Sequence, residues 1–157
     1  MAVASNLLMT IAAAGLLVAC SSTPDPVAST AGAGAGTIRP GSQEDLVANI
    51  GDRVFFDTDR STIRADQRAV LERQSRWMGQ FPAVQVMVEG HADERGTREY
   101  NLALSQRRAN SARDLLVAGG VAGTRIQTIS YGKDRPDALG SNEESWARNR
   151  RAVTVVR

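Results

Sequence analysis

The distribution of charge constrains the fold of this chain more than any other feature of its sequence. Residues 1–36 contain one ionisable side chain, Asp25, so nearly all of the 19 Lys and Arg and 17 Asp and Glu residues lie in the remainder. That remainder predicts one folded domain, residues 44–157, whose 114 residues suffice for one two-layer core but not for two. Acidic residues are interspersed among the basic ones there, which argues against nucleic acid as a partner.

The N-terminal segment reads as a targeting sequence. Leu7–Val18 is almost wholly apolar, too short to cross a bilayer, and is followed by Ala19 and Cys20. The run Leu17–Cys20 resembles the bacterial lipobox, in which a peptidase cleaves before a Cys that becomes lipidated. We therefore predict a lipoprotein signal peptide over residues 1–19 and lipidation of Cys20. The alternative, a core helix with a free Cys, is disfavoured because the segment has no polar face.

The next segment has the composition of a linker. Residues 20–43 contain three Pro residues and an alternating Ala-Gly run, with few large apolar side chains to bury. As a coil, a segment of this length has a root-mean-square reach of roughly 25 Å. A lipidated Cys followed by a flexible linker predicts a domain tethered to a membrane that it does not cross.

From residue 44 onward, segments with β-strand and helical patterns alternate. Thr62 is expected to cap the first helix, and Glu72 and Arg76 to pair on its exposed face. This order predicts a two-layer α/β sandwich, β-α-β-α-β-α-β, with helices packed on one mixed four-stranded sheet. The predicted strands are Arg53–Phe56, Val84–Glu89, Ile126–Tyr131 and Ala152–Val156, and the predicted helices are Arg64–Gln80, Arg98–Ala118 and Asn142–Asn149.

The polar loop Gly90–Gly96 lies between a predicted buried strand and a helix, where binding sites are frequent. It contains His91, the only His in the chain, so neither a two-His metal cluster nor a Ser-His-Asp triad is indicated. We expect no metal or cofactor. A structural His91 that satisfies backbone groups under the loop is favoured over a catalytic base.

The helix after this loop carries a second charged candidate. Asn101 and Arg108 are seven residues apart, so they share one stripe of the helix, beside a core stripe formed by Leu102, Ala109 and Leu116. Two interpretations of Asp93 and Arg108 stay open. They form a structural ion pair, or Asp93 takes the ammonium and Arg108 the carboxylate of one zwitterionic ligand.

Six short motifs occur along the predicted domain: Gly90–Gly96, Tyr100-Asn101, Leu104-Ser105, Arg108-Ala109, Tyr131–Lys133 and Asn149–Val153. Together they resemble the motifs of the OmpA-like peptidoglycan-binding domain family. The resemblance implies an OmpA C-terminal-like fold that binds peptidoglycan without cutting it, with Asp93 and Arg108 holding the diaminopimelate of the stem peptide. It also implies pocket positions at Asn101, Leu104, Arg95 and Asp57.

The resemblance further implies an outer-membrane lipoprotein that faces the periplasm and joins the wall to the membrane. Ser21, directly after Cys20, fits export to the outer membrane. The implied partners are peptidoglycan, outer-membrane lipid, TolB and other Tol proteins, with a role in cell division. Two alternatives remain: a wall hydrolase that uses His91 with Asp93 or Glu94, and a lipoprotein that binds partners without a ligand pocket.

Overall fold

The computed structural model describes residues 38–157, which contain all four predicted strands and all three predicted helices. The predicted signal peptide, Cys20 and most of the predicted linker lie outside the described residues. No helix within residues 38–157 has the length and apolar character that a membrane span requires. The elements in chain order are α1 Gln43–Asp45, a π-helical turn Leu46–Ile50, β1 Arg53–Phe55, α2 Ala65–Gln80, β2 Val86–Gly90, α3 Arg98–Ala118, a 3-10 turn Gly123–Arg125, β3 Ile126–Ser130, α4 Glu143–Asn149 and β4 Arg151–Val156.

The four strands form one mixed sheet in the order β1-β4-β2-β3. β2 and β3 are parallel, whereas β4 runs antiparallel to both of its neighbours, β1 and β2. α2 and α3 pack against each other and against the sheet. The predicted two-layer α/β sandwich with a mixed four-stranded sheet is therefore confirmed.

The core lies between the two helices and the sheet. β2 alternates buried and half-buried residues, so Val86 and Val88 face the helices. Leu71 and Met78 of α2 and Leu116 of α3 meet them in one apolar cluster. All of its members belong to residues 46–152, so this part of the chain carries its own hydrophobic core.

Several predicted details are corrected by the structure. Thr62 is not a helix cap, because α2 begins at Ala65 after an Arg64 that makes no side-chain capping bond. Leu102 is only half-buried, and the buried stripe of α3 instead includes Arg108. The ordered part begins slightly before residue 44, since the Ser42 side chain caps α1.

The strand directions define two opposite ends of the domain, which we call the loop end and the entry end. At the loop end, β2 and β3 finish and β4 starts, so the polar loop and α4 lie there. At the entry end, β2 starts opposite the last residues of β4, with Val86 beside Val156. The chain enters the domain at this second end, because the Gln43 side chain bonds the Val156 amide.

Candidate functional site

Gly90 brings the polar loop and α3 together. Gly90 ends β2, and a Cβ atom there would collide with the Ser105 carbonyl on α3. The absence of a side chain allows the strand end to lie directly on the helix. The residues that follow Gly90 in the loop are consequently held next to the first turns of α3.

The loop itself is fixed at both ends. Gly96 has a φ of 86°, which favours glycine, and the Thr97 side chain caps α3 by accepting from the Tyr100 amide. From the other side, the Lys133 ammonium donates to the carbonyls of Glu94 and Gly96 at 3.1 and 2.8 Å. A loop with this many backbone partners holds its side chains in set positions.

Asp93 is a buried carboxylate that already has cationic partners. Its side chain accepts from the Arg95 backbone amide at 3.1 Å and from the Arg95 guanidinium at 3.2 and 2.7 Å. Arg150 approaches the same carboxylate at 3.4 Å. Burial alone would raise the pKa of the Asp93 carboxyl, but the bonds and charge of Arg95, with Arg150, hold it below its usual value.

Arg108 is wholly buried and donates to three backbone carbonyls, those of Arg60 at 2.8 Å, His91 at 2.9 Å and Asp57 at 3.0 Å. Burial lowers the pKa of its guanidinium to about 10, and the nearby Asp93 partly offsets that shift. Arg108 therefore stays charged at neutral pH. It ties the loop after β1 to the loop after β2.

Three other predicted site residues surround these two. The Asn101 side chain donates to the Arg95 carbonyl at 2.8 Å, and Leu104 is buried one turn further along α3. Asp57 contributes its carbonyl to Arg108, while its side chain is exposed. Hydrogen bonds thus connect Asp93, Arg95 and Asn101, and Arg108 with Asp57, while Leu104 shares only the buried face of α3 with Asn101 and Arg108.

Asp93 and Arg108 do not pair with each other within the described residues, so the ion-pair interpretation fails in its simple form. Asp93 does form ion pairs, but with Arg95 and Arg150. Both predicted anchors are turned inward. The half-exposed Arg95 guanidinium lies against the Asp93 carboxylate, between it and the solvent.

A cleft of about 230 Å³ opens beside Arg95. Its walls are Thr58 and Asp59 from the loop after β1, and Gly96 and Tyr100 from the start of α3. The Arg95 guanidinium stacks on Trp146, 4.2 Å from the ring centroid, and donates to the Thr58 hydroxyl at 3.3 Å. Displacing this one side chain would connect the cleft to the Asp93 carboxylate.

His91 is buried as expected, but its ring does not satisfy backbone groups. Neither ring nitrogen has a hydrogen-bond partner in the described part of the chain. The pKa of His91 is lowered to about 4, first by burial and then by the charge of Arg151. A ring so enclosed cannot contact a wall substrate, so the geometry gives no support to the hydrolase alternative.

Two contributors to the site were not assigned from the sequence. Arg150 is buried and links Asp93, the Phe56 carbonyl and Glu143. Trp146 supports Arg95 and donates to Glu94 at 3.0 Å. Arg150 lies within the motif that carried the family resemblance, and that was the only signal. Residues 38–157 contain no cluster of three His, Cys, Asp or Glu side chains that could hold a metal.

Comparison with known proteins identifies the family of the chain. The model of the OmpA family matches residues 55–150. The peptidoglycan-associated lipoprotein of Rhizobium meliloti is 53% identical over 153 residues, covering 96% of this chain and 84% of the relative. The protein of the same name from Mesorhizobium japonicum is 54% identical over 142 residues, covering 89% of this chain and 84% of the relative.

Solved structures show the same fold. The crystal structure of the peptidoglycan-associated lipoprotein from Burkholderia pseudomallei superposes with a TM-score of 0.68 at 36% identity. The match covers 72% of this chain and the whole of the crystallised one. A crystallised chain that corresponds to the domain alone indicates that such a domain folds without the segment that precedes it.

Proposed function

The chain belongs to the OmpA family, and from this premise we propose that it is an outer-membrane lipoprotein whose domain binds peptidoglycan without cutting it. The relatives from Rhizobium and Mesorhizobium are named for association with peptidoglycan. The observation that carries the proposal for this chain is the buried Asp93 carboxylate, whose shortest ion pair is with a half-exposed Arg95 beside an open cleft. That arrangement suits exchange of one cation for another.

The ligand group in this proposal is diaminopimelate of the stem peptide. Its free end carries an ammonium and a carboxylate on one carbon. The ammonium replaces the Arg95 guanidinium on Asp93, so the buried carboxylate keeps a charged donor throughout. Without such replacement, uncovering Asp93 would leave a buried charge poorly paired, which is costly.

Arg108 supplies the positive charge for the ligand carboxylate. Three of its five N–H groups are used by backbone carbonyls, so two donors are left for a ligand. Reaching them requires the loop that contains Asp57 and Arg60 to shift, because Arg108 has no exposed surface in the unliganded arrangement. Asn101 and Leu104 complete the proposed site. Asn101 holds the Arg95 backbone through its hydrogen bond to the Arg95 carbonyl, and Leu104 supplies an apolar side chain from α3.

The membrane attachment is lipid on Cys20, joined to the domain by the linker. The domain then binds the cell wall noncovalently while the acyl chains stay in the outer membrane, and no covalent bond is made or broken. As in the family that the sequence resembles, the chain would serve the Tol–Pal system in envelope integrity and cell division. TolB and other Tol proteins are the partners in this proposal.

Co-sedimentation with purified sacculi tests the proposal. We expect the chain to pellet with sacculi, and free diaminopimelate to release it in a concentration-dependent way. Soluble muropeptides in the supernatant would instead indicate a hydrolase. If the chain pellets but free diaminopimelate does not release it, the assignment of the ligand is wrong. If the chain does not pellet with sacculi, the proposed function is wrong.

A further inference from the structure

The entry end of the domain carries exposed arginines that form no ion pair within residues 38–157. The nine ion pairs in the described part of the chain, with the neutral His91 left out, involve residues 52–66, 93–98 and 134–150 only. Arg39, Arg73 and Arg76 are exposed and belong to none of them. The predicted Glu72–Arg76 pair on α2 is not formed, so the Arg76 guanidinium is available to an outside partner.

Arg73 and Arg76 flank a cleft of about 260 Å³ at this end. Trp77 and Gln80 of α2 and Ile50 of the π-helical turn complete its walls. The Arg73 guanidinium donates from two nitrogens to the Ile50 carbonyl, both at 3.3 Å, which holds it at the rim. The cleft therefore combines apolar walls with two cations at its edge, of which Arg73 is held in place by hydrogen bonds.

Exposed apolar side chains lie near the same rim. Val47 is 49% exposed and precedes Ile50 by one turn, and Ile38 is 44% exposed at the start of the described chain. Gly41 lies against the Phe81 ring, which places this entering segment at the C-terminal end of α2. Cations beside exposed aliphatic groups are the pattern of surfaces that lie on a bilayer interface.

We propose that this entry-end surface, formed by Ile38, Arg39, Val47, Arg73 and Arg76, docks onto anionic phospholipid headgroups. The choice of a membrane as the partner rests on the proposed lipid anchor at Cys20. Ile38 follows Cys20 by 18 positions, a separation whose expected coil reach is roughly 25 Å. In this proposal the lipid anchor keeps the domain at a high effective concentration near the bilayer. The entry end, where the chain joins the domain, is then the end that can reach the bilayer first.

The consequence is a domain with two distinct contacts at opposite ends. Phosphate groups neutralise Arg73 and Arg76 in the way that carboxylates neutralise the arginines of the loop end. The aliphatic side chains enter the interfacial region beside them. The loop end then faces away from the bilayer, toward the wall.

Vesicle co-sedimentation tests this with the chain from Ser21 to Arg157, which has neither the apolar leader nor Cys20. Vesicles of phosphatidylethanolamine and phosphatidylglycerol should bind it, and binding should fall as salt is raised. The double variant Arg73→Gln/Arg76→Gln should lose roughly 25-fold in partitioning, since each arginine near an anionic surface contributes about fivefold. The exposed pair Arg60→Gln/Arg107→Gln is the matched control and should leave partitioning within about twofold.

Equal binding to neutral phosphatidylcholine vesicles, or equal losses in both double variants, would overturn the proposal. Failure to bind either vesicle while polyglutamate is bound through Arg73 and Arg76 would identify an acidic protein partner instead. The test does not involve sacculi or Cys20. If the chain pellets with sacculi but does not bind anionic vesicles, the docking proposal is wrong and the proposed function stands.

Discussion

The arginines around Asp93 and those beside the Arg73 cleft are held differently. Arg95 and Arg150 form ion pairs with Asp93, and the buried Arg108 donates to three backbone carbonyls. At the entry end, Arg125 likewise donates to three carbonyls, but Arg73 and Arg76 are exposed and outside every ion pair of the described chain. The contrast therefore lies between arginines that internal acceptors hold in a defined site and the two that stay accessible to a partner.

The comparison predicts that removing an arginine is costly at one position of α3 and harmless at the next. Arg108→Met leaves three buried carbonyls without their charged donor and should lower the free energy of unfolding by about 3 kcal/mol or more. The exposed Arg107→Met is the matched control and should change it by no more than about 0.5 kcal/mol. Denaturant unfolding measures both, and similar values for the two variants would break the distinction.

Acid should weaken the loop end through His91. Its pKa of about 4 in the folded domain lies below the value near 6.5 of an unfolded chain, so the unfolded state takes up the proton first. Stability from this residue is complete above about pH 6.5 and falls by up to about 3 kcal/mol as pH drops to 4.

The His91→Phe variant isolates that contribution. The carboxyl groups titrate in both proteins, so the difference in unfolding free energy between pH 7 and pH 4 should be smaller in His91→Phe by most of that amount. Identical pH dependence in the two proteins would show that His91 is not buried in its neutral form.

Two glycines sharpen the contrast in packing. Gly90→Ala drives a methyl group against the Ser105 carbonyl and should cost about 1–3 kcal/mol, and it should misplace the polar loop. Gly79 near the end of α2 has open space around it, so Gly79→Ala should stabilise the domain by about 0.4–1 kcal/mol. Thermal unfolding distinguishes the two signs. A stabilising Gly90→Ala would contradict the close approach of β2 and α3.

The smallest predicted effect concerns the cover on Asp93. Arg95→Gln removes the guanidinium hydrogen bonds and the nearby positive charge that hold the pKa of Asp93 low, so this pKa should rise. Arg98→Gln, which removes a pairing with Asp134 outside the site, should leave it unchanged. Carboxyl NMR titration measures both variants. An unmoved Asp93 pKa in Arg95→Gln would mean that Arg150 alone holds the carboxylate.

Sequence periodicity predicted the fold well where local signals are strong. Both ends of α3 match the prediction because Thr97 caps its start and Gly119-Gly120 ends it. The π-helical turn at Leu46–Ile50 was missed because one turn is too short to show a period. The Thr62 cap failed for a local reason, since α2 begins three residues later without a capping side chain.

The site was predictable in membership but not in arrangement. Position in a loop and on a helix is visible in sequence and brought out Asp93 and Arg108, whereas Arg95 came only from the family resemblance. Spacing does not reveal that an arginine is enclosed: the predicted core stripe of Leu102, Ala109 and Leu116 is right for its last two members, but Leu102 is half-buried and Arg108 is wholly buried. The pairing of Arg150 with Asp93 joins residues 57 positions apart, which only the fold brings together.

Calorimetric titration with a muropeptide that contains diaminopimelate tests the central claim, that Asp93 exchanges an internal cation for a ligand ammonium. Asp93→Asn keeps the shape of the side chain and removes its charge, so affinity should fall by at least about tenfold. Asp134→Asn, which changes an ion-paired carboxylate outside the cleft, should bind like the unmodified chain. Equal affinities for all three proteins would contradict the account.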